Sequence, residues 1–134
     1  MKIEAYLFFD GRCEEAIEFY RQALGAEQTM LVRFKDCPDA SMIPPGGENK
    51  IMHGRLRIGD TVILISDGRC EGKPNFQGFS LSITAKDEAE ADRMFAALAE
   101  GGEVRMPLGK TFFSPRFGML ADRFGVGWMV ITEH

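Results

Sequence analysis

Apolar and polar residues alternate over 3–9. Ile3, Ala5, Leu7 and Phe9 share one side, and Glu4, Tyr6 and Phe8 share the other. A period of two predicts a strand, with the first set packed under a helix. Asp10-Gly11 breaks the run, and the period then changes. Over 13–24, Ala16, Ile17, Tyr20 and Leu24 form an apolar stripe of helical spacing. Glu14 and Glu15 in its first turn suit the helix dipole, and Gly25 is a stop signal. Residues 27–34 read as a second strand. The stretch 35–50 holds Pro38, Pro44, Pro45, Gly46 and Gly47 and reads as a mobile loop. A strand is predicted over 51–58, with Met52, Gly54, Leu56 and Ile58 on one side and His53, Arg55 and Arg57 on the other. Gly59-Asp60 predicts a hairpin turn into a β-branched strand over 61–66.

The same order then recurs. A linker over 67–75 leads to a strand over 76–84 and a helix over 87–100. Ala91, Met94, Phe95 and Leu98 form the helix stripe, and Gly101-Gly102 ends it. Strands follow over 103–106, 116–121 and 127–132, the last two joined by a turn at Phe124-Gly125. The chain is therefore a duplicated unit. One unit of about 60 residues can scarcely bury one face of its sheet. The expected fold is α+β: two tandem βαβββ modules, 1–67 and 76–134, within one domain over 1–134. They would form a curved, half-open barrel of mixed sheet with helices outside and a cleft inside.

Composition narrows the functional classes. The chain has 134 residues, 45% of them hydrophobic, which suits one compact core. Its formal net charge of -4, without a basic run, excludes nucleic acid and anionic membrane as expected partners. No segment reads as a membrane span, and Met1-Lys2-Ile3-Glu4 lacks the apolar run of a secretion signal, so a cytoplasmic location is expected. Cys13, Cys37 and Cys70 are odd in number, widely spaced and outside any CxxC pair. That pattern argues against a disulfide framework and a structural zinc site.

Three stretches resemble the vicinal oxygen chelate superfamily, the glyoxalase and bleomycin-resistance fold, and within it the PhnB-like branch. They are Tyr6-Leu7-Phe8-Phe9-Asp10-Gly11-Arg12-Cys13-Glu14-Glu15-Ala16-Ile17-Glu18-Phe19-Tyr20, Lys50 to Asp60, and Arg116 to Val130. The resemblance covers nearly the whole chain. It implies the paired-module fold and a homodimer. Members of this branch carry a 3-demethylubiquinone methyltransferase label, but no glycine-rich cofactor loop follows a strand here. Metal-dependent members of the superfamily hold one divalent ion with His, Gln or Glu. The matching positions here are Glu4, Leu64, Gln77 or Gly78, and Met129. Leucine and glycine side chains offer no donor, and a thioether is a poor ligand for such an ion. No metal or other cofactor is therefore expected at that place, which removes the Lewis acid of glyoxalase or dioxygenase chemistry.

The remaining chemistry lies on the polar sides of the strands. The alternation turns Glu4, Tyr6, His53, Arg55, Ser66, Ser80 and Ser82 toward the cleft, with Met129 beside them. His53 is the candidate catalytic residue, as a proton acceptor or donor, or it is one member of a hydrogen-bonded sheet face. Arg55, and less so Arg57, would anchor a carboxylate or phosphate, or pair with Glu4. Cys13 follows Arg12 at a helix start and is a reactive thiolate or a small packed residue. Ser114 and Arg116 lie in a loop that would close on a ligand, and Trp128 reads as structural. The leading reading is a binder of a small anionic or aromatic molecule. The alternatives are an enzyme of isomerase, lyase or transferase type, using His53 and Arg55 or a metal in unusual ligands, and a non-catalytic dimeric scaffold.

Overall fold

The computed structural model describes residues 1–68 and 73–133; Cys70 and His134 lie outside the described residues. The chain divides into two units, Met1–Pro74 and Asn75–His134. The first unit holds β1 (Tyr6–Phe8), α1 (Cys13–Leu24), β2 (Glu27–Arg33), β3 (Ile51–Ile58) and β4 (Thr61–Ser66). The second holds β5 (Leu81–Ala85), α2 (Glu88–Ala99), β6 (Glu103–Gly109), β7 (Phe117–Ala121) and β8 (Gly127–Thr132). The two units thus share the element order strand, helix and three strands, as the sequence predicts. Each forms an open four-stranded sheet, ordered β1-β4-β3-β2 in the first and β5-β8-β7-β6 in the second. Both sheets are mixed, because β1 runs parallel to β4, and β5 to β8, while the other pairs are antiparallel.

In the first unit the two faces separate by period two. Leu7 and Phe9 are buried, and the Phe9 ring meets Tyr20 of α1 at 6.2 Å between centroids. Tyr6 and Phe8, on the opposite face, are 36% and 54% exposed. α1 buries the predicted stripe of Ala16, Ile17, Tyr20 and Leu24, with Cys13 and Ala23 in addition, and stops at Gly25 with φ 68°. Its start has no local side-chain cap. The carboxylate of Asp67, at the end of β4, does that work instead. Its Oδ1 accepts from the amides of Gly11 and Cys13, and its Oδ2 from that of Ile51, each at 2.8 Å. One buried side chain thereby ties the β1–α1 turn, the first residue of α1 and the start of β3 together.

In the second unit α2 begins with a proper cap: Asp87 accepts from the Glu90 amide at 2.7 Å. The helix lies against Gly118, where an added Cβ would come within 2.7 Å of the Phe95 ring. Asp122 closes the β7–β8 turn. Its Oδ1 accepts from the Phe124 and Val126 amides and its Oδ2 from Trp128 Nε1. Trp128 is structural, as expected.

Several strand limits differ from the sequence reading. β1 keeps only Tyr6–Phe8 of the run over 3–9, and Ile3 is 88% exposed. β5 starts at Leu81 rather than 76, because Gly78 takes φ 80° and breaks the extended run. β6 continues through Pro107 to Gly109, which an edge strand tolerates because its outer amides need no partner. Among the described residues no helix is long and apolar enough to cross a membrane.

Candidate functional site

Strand register decides which side chains share a surface. In the first sheet Tyr6 pairs with Leu64, Leu64 with Arg55, and Arg55 with Met30. These residues form one row across the sheet, on the face turned away from α1. His53 lies two residues along β3 on the same face, and Phe8 two residues along β1. The Tyr6 hydroxyl stands 3.0 Å from His53 Nδ1. The Tyr6 ring stacks on Phe8 at 4.8 Å and on His53 at 5.6 Å. With Nδ1 as acceptor the imidazole carries its proton on Nε2, free to meet a ligand. The result is a wall of three rings with one guanidinium, Arg55, in the row of Tyr6.

The charge beside that wall is loosely neutralised. Glu4 Oε2 lies 3.9 Å from Arg55 Nη2 and 3.5 Å from Lys2 Nζ, and it makes no hydrogen bond although that oxygen is buried. Arg55 therefore keeps most of its five donors for another acceptor. Arg57 is engaged with Glu27 at the far end of β3.

Other candidates have different surroundings. Ser66 is 2% exposed, and its Oγ accepts from the Gly68 amide at 3.0 Å, so its hydroxyl serves the turn. Ser82 and Met129 belong to the second sheet, where Ser82 pairs with Met129 and Met129 with Met119, and Ser80 stands one residue before β5. Ser114 is fully buried, and its Oγ donates toward the carbonyls of Arg116 and Thr132. Arg116 bonds to Asp92 and pairs with Glu88 on α2. A ligand-closing role for Ser114 and Arg116 is thus corrected: both are committed to holding β7, β8 and α2. The thiolate reading of Cys13 is corrected as well. Its side chain is fully buried, and burial, with Asp67 and Glu14 nearby, pushes the thiol well up from its ordinary value.

The four superfamily metal positions do not fit a divalent ion. Leu64 and Met129 stand in their registers without a hard donor, and Gln77 and Gly78 precede β5 and its ladder. The remaining carboxylate, Glu4, already faces two cations. No cluster of three or more His, Cys, Asp or Glu able to hold a metal occurs among the described residues.

Sequence reasoning passed over three residues: Asp67, Asp122 and Arg105. Each carboxylate is the first charged side chain after a buried strand, a position that hints at a capping acceptor. Nothing in the sequence names which amides it would meet.

The geometry has relatives. A family model described as 3-demethylubiquinone-9 3-methyltransferase matches residues 1–131. Protein YjdN of Escherichia coli (strain K12) is 34% identical over 138 residues, covering 97% of this chain and 94% of that one. The crystal structure of protein PA1353 from Pseudomonas aeruginosa superposes with a TM-score of 0.88 at 43% identity, covering 99% and 98% of the two chains. A putative 3-demethylubiquinone-9 3-methyltransferase, PhnB protein, from Bacillus cereus gives 0.82 at 28% identity, covering 98% and 99%. The fold alone is shared with a glyoxalase-related enzyme from Fulvimarina pelagi, TM-score 0.66 at 15% identity over 99% and 88% of the chains.

Proposed function

The chain belongs to the 3-demethylubiquinone-9 3-methyltransferase family, the PhnB-like branch of the vicinal oxygen chelate superfamily, and on that premise we propose that it binds a small aromatic anion on the face of its first sheet turned away from α1. The observation that carries this reading is the stacked trio of Tyr6, Phe8 and His53, with Arg55 in the row of Tyr6 on the same face. Tyr6 and Arg55 are two strands apart, about 10 Å by ordinary sheet spacing. Leu64 lies between them in the row. The same leucine that spoils a metal site gives an apolar floor for a ring. An aromatic carboxylate or phosphonate would lie on that floor, with its ring against Tyr6 and Phe8 and its anion on Arg55. Glu4 is the counter-ion that such an anion would replace.

One observation favours proton transfer on the bound molecule. The Tyr6 hydroxyl fixes His53 through Nδ1, which leaves Nε2 as the working nitrogen. The enzyme reading therefore centres on His53, with Tyr6 orienting it. A homodimer and a cytoplasmic location complete the proposal.

The test is thermal shift and calorimetric titration with benzoate and phenylphosphonate. A ligand at 100 times its dissociation constant should stabilise the fold by about 2.7 kcal/mol. Arg55→Gln should weaken binding about tenfold or more, since a charged hydrogen bond is being removed. Tyr6→Phe keeps the ring and loses the His53 contact, so it separates stacking from orientation. Binding that is indifferent to Arg55→Gln and His53→Ala would discard the site.

A further inference from the structure

The second sheet holds a cation that the first-sheet reading does not use. In β6, Val104 pairs with Leu120 and Met106 with Met119, which leaves Arg105 as the extra residue of a bulge. A bulge turns its side chain out of the ordinary alternation. Here the arginine reaches toward β8: its Nη1 lies 3.8 Å from the place where a Cβ on Gly127 would stand. Ser80 Oγ lies 3.0 Å from the same place, and the Phe79 carbonyl oxygen 3.3 Å. Gly127 pairs with Ala121, so neither strand puts more than one carbon there. The guanidinium and the hydroxyl thus flank a floor that has almost no side chain. Among the described residues Arg105 makes no hydrogen bond or ion pair, and the Ser80 hydroxyl makes no hydrogen bond. Next to this floor runs a row of Ser82, Met129, Met119 and Met106 across all four strands. Thioethers form a polarizable, adaptable apolar wall.

We propose that Arg105 and Ser80 form an oxyanion subsite on the second sheet, which takes the carboxylate or phosphonate head of a small molecule whose apolar body lies on Met106, Met119 and Met129. The fork of the guanidinium matches two oxygens of either head, and the serine hydroxyl donates to one of them. The Phe79 carbonyl accepts, so it suits a ligand bearing a hydroxyl or N–H beside the anion. Gly127 is required because a methyl group there would occupy the meeting point. No residue is shared with the first-sheet site.

The test is an NMR titration of the full chain, labelled at backbone amides and methionine methyls, with hexanoate and with butylphosphonate. Saturable shifts are expected at the Ser80 and Gly127 amides and at the Met119 and Met129 methyls. Arg105→Gln should weaken the dissociation constant about tenfold or more, Arg105→Lys less, and Gly127→Ala about as much as Arg105→Gln. Arg55→Gln should leave these shifts unchanged, whatever becomes of benzoate binding on the first sheet. Circular dichroism checks that each variant is folded. Non-saturating shifts, shifts confined to the first unit, or an Arg105→Gln dissociation constant within twofold of the original would overturn the subsite.

Discussion

Asp67→Asn is the substitution that isolates the cross-brace of the first unit. It is isosteric, so no cavity opens. The asparagine carbonyl can still accept from the Gly11 and Cys13 amides, but as a neutral group. Exchanging a charged for a neutral acceptor costs about 1 kcal/mol per bond. The new Nδ2–H2 faces the Ile51 amide, which now meets a donor. Leaving that buried N–H unsatisfied costs about 1–3 kcal/mol more. The total is about 3–5 kcal/mol, a large share of the stability of a domain this size. Urea unfolding followed by far-UV circular dichroism should show the loss. Native-state hydrogen exchange should show faster exchange at the Ile51 amide than at the mid-strand amide of Leu56. A midpoint change worth less than about 1 kcal/mol, or an Ile51 amide as protected as before, would refute the brace.

Two further outcomes follow from the titratable groups. The Arg33 hydrogen bond holds the Glu14 carboxyl below its ordinary value of 4.5. A depressed carboxyl stabilises above its unfolded value and loses that contribution as the pH falls through the folded one. The contribution is a few tenths of a kcal/mol, because the Glu14 side chain is 68% exposed and screened. Arg33→Gln should therefore lower the urea midpoint slightly at pH 7 and progressively less as the pH falls through the folded value, and high salt should erase the difference. Cys13 should resist iodoacetamide in the folded protein while the partly exposed Cys37 reacts, and the order should vanish in denaturant; peptide mass mapping reads both.

Much of the architecture was legible because period and punctuation agree. The limits of α1, β3, β4 and β8 follow from Gly25, from the Gly59-Asp60 turn and from unbroken runs of one period. The duplicated order made the two mixed sheets predictable. Limits failed where tertiary pairing overrides the local pattern. Ile3 alternates correctly but finds no partner strand, and Pro107 looks like a stop but sits at an edge where no amide is wanted. The first-sheet site was legible in part. Alternation alone put Tyr6, His53 and Arg55 on one side, but the Tyr6–His53 contact spans 47 residues and depends on the register of β1, β4 and β3. Ser66 was on the expected strand, and its Oγ accepts from the Gly68 amide, a contact that alternation does not announce. Arg105 was missed for a clear reason: a bulge shifts the parity on which face assignments rest.

The duplicated framework also shows how two copies of one backbone plan diverge in chemistry. Tyr6, Leu64, Arg55 and Met30 cross the first sheet in one row; Ser82, Met129, Met119 and Met106 cross the second in the equivalent row. The register is the same while the side chains are not. In the first row an arginine stands at the β3 position and has a carboxylate within 3.9 Å. In the second, the matching β7 position is Met119, and the arginine has moved to the bulge in β6. An anion on a guanidinium with a carboxylate nearby feels that carboxylate's repulsion, so its affinity should rise when the charge of Glu4 is removed. A guanidinium without one carries no such competitor. Glu4→Gln should therefore tighten benzoate on the first sheet and leave hexanoate on the second unaffected. If Glu4→Gln weakens benzoate instead, Glu4 is a contact of the ligand and not the competitor that the charge arrangement describes.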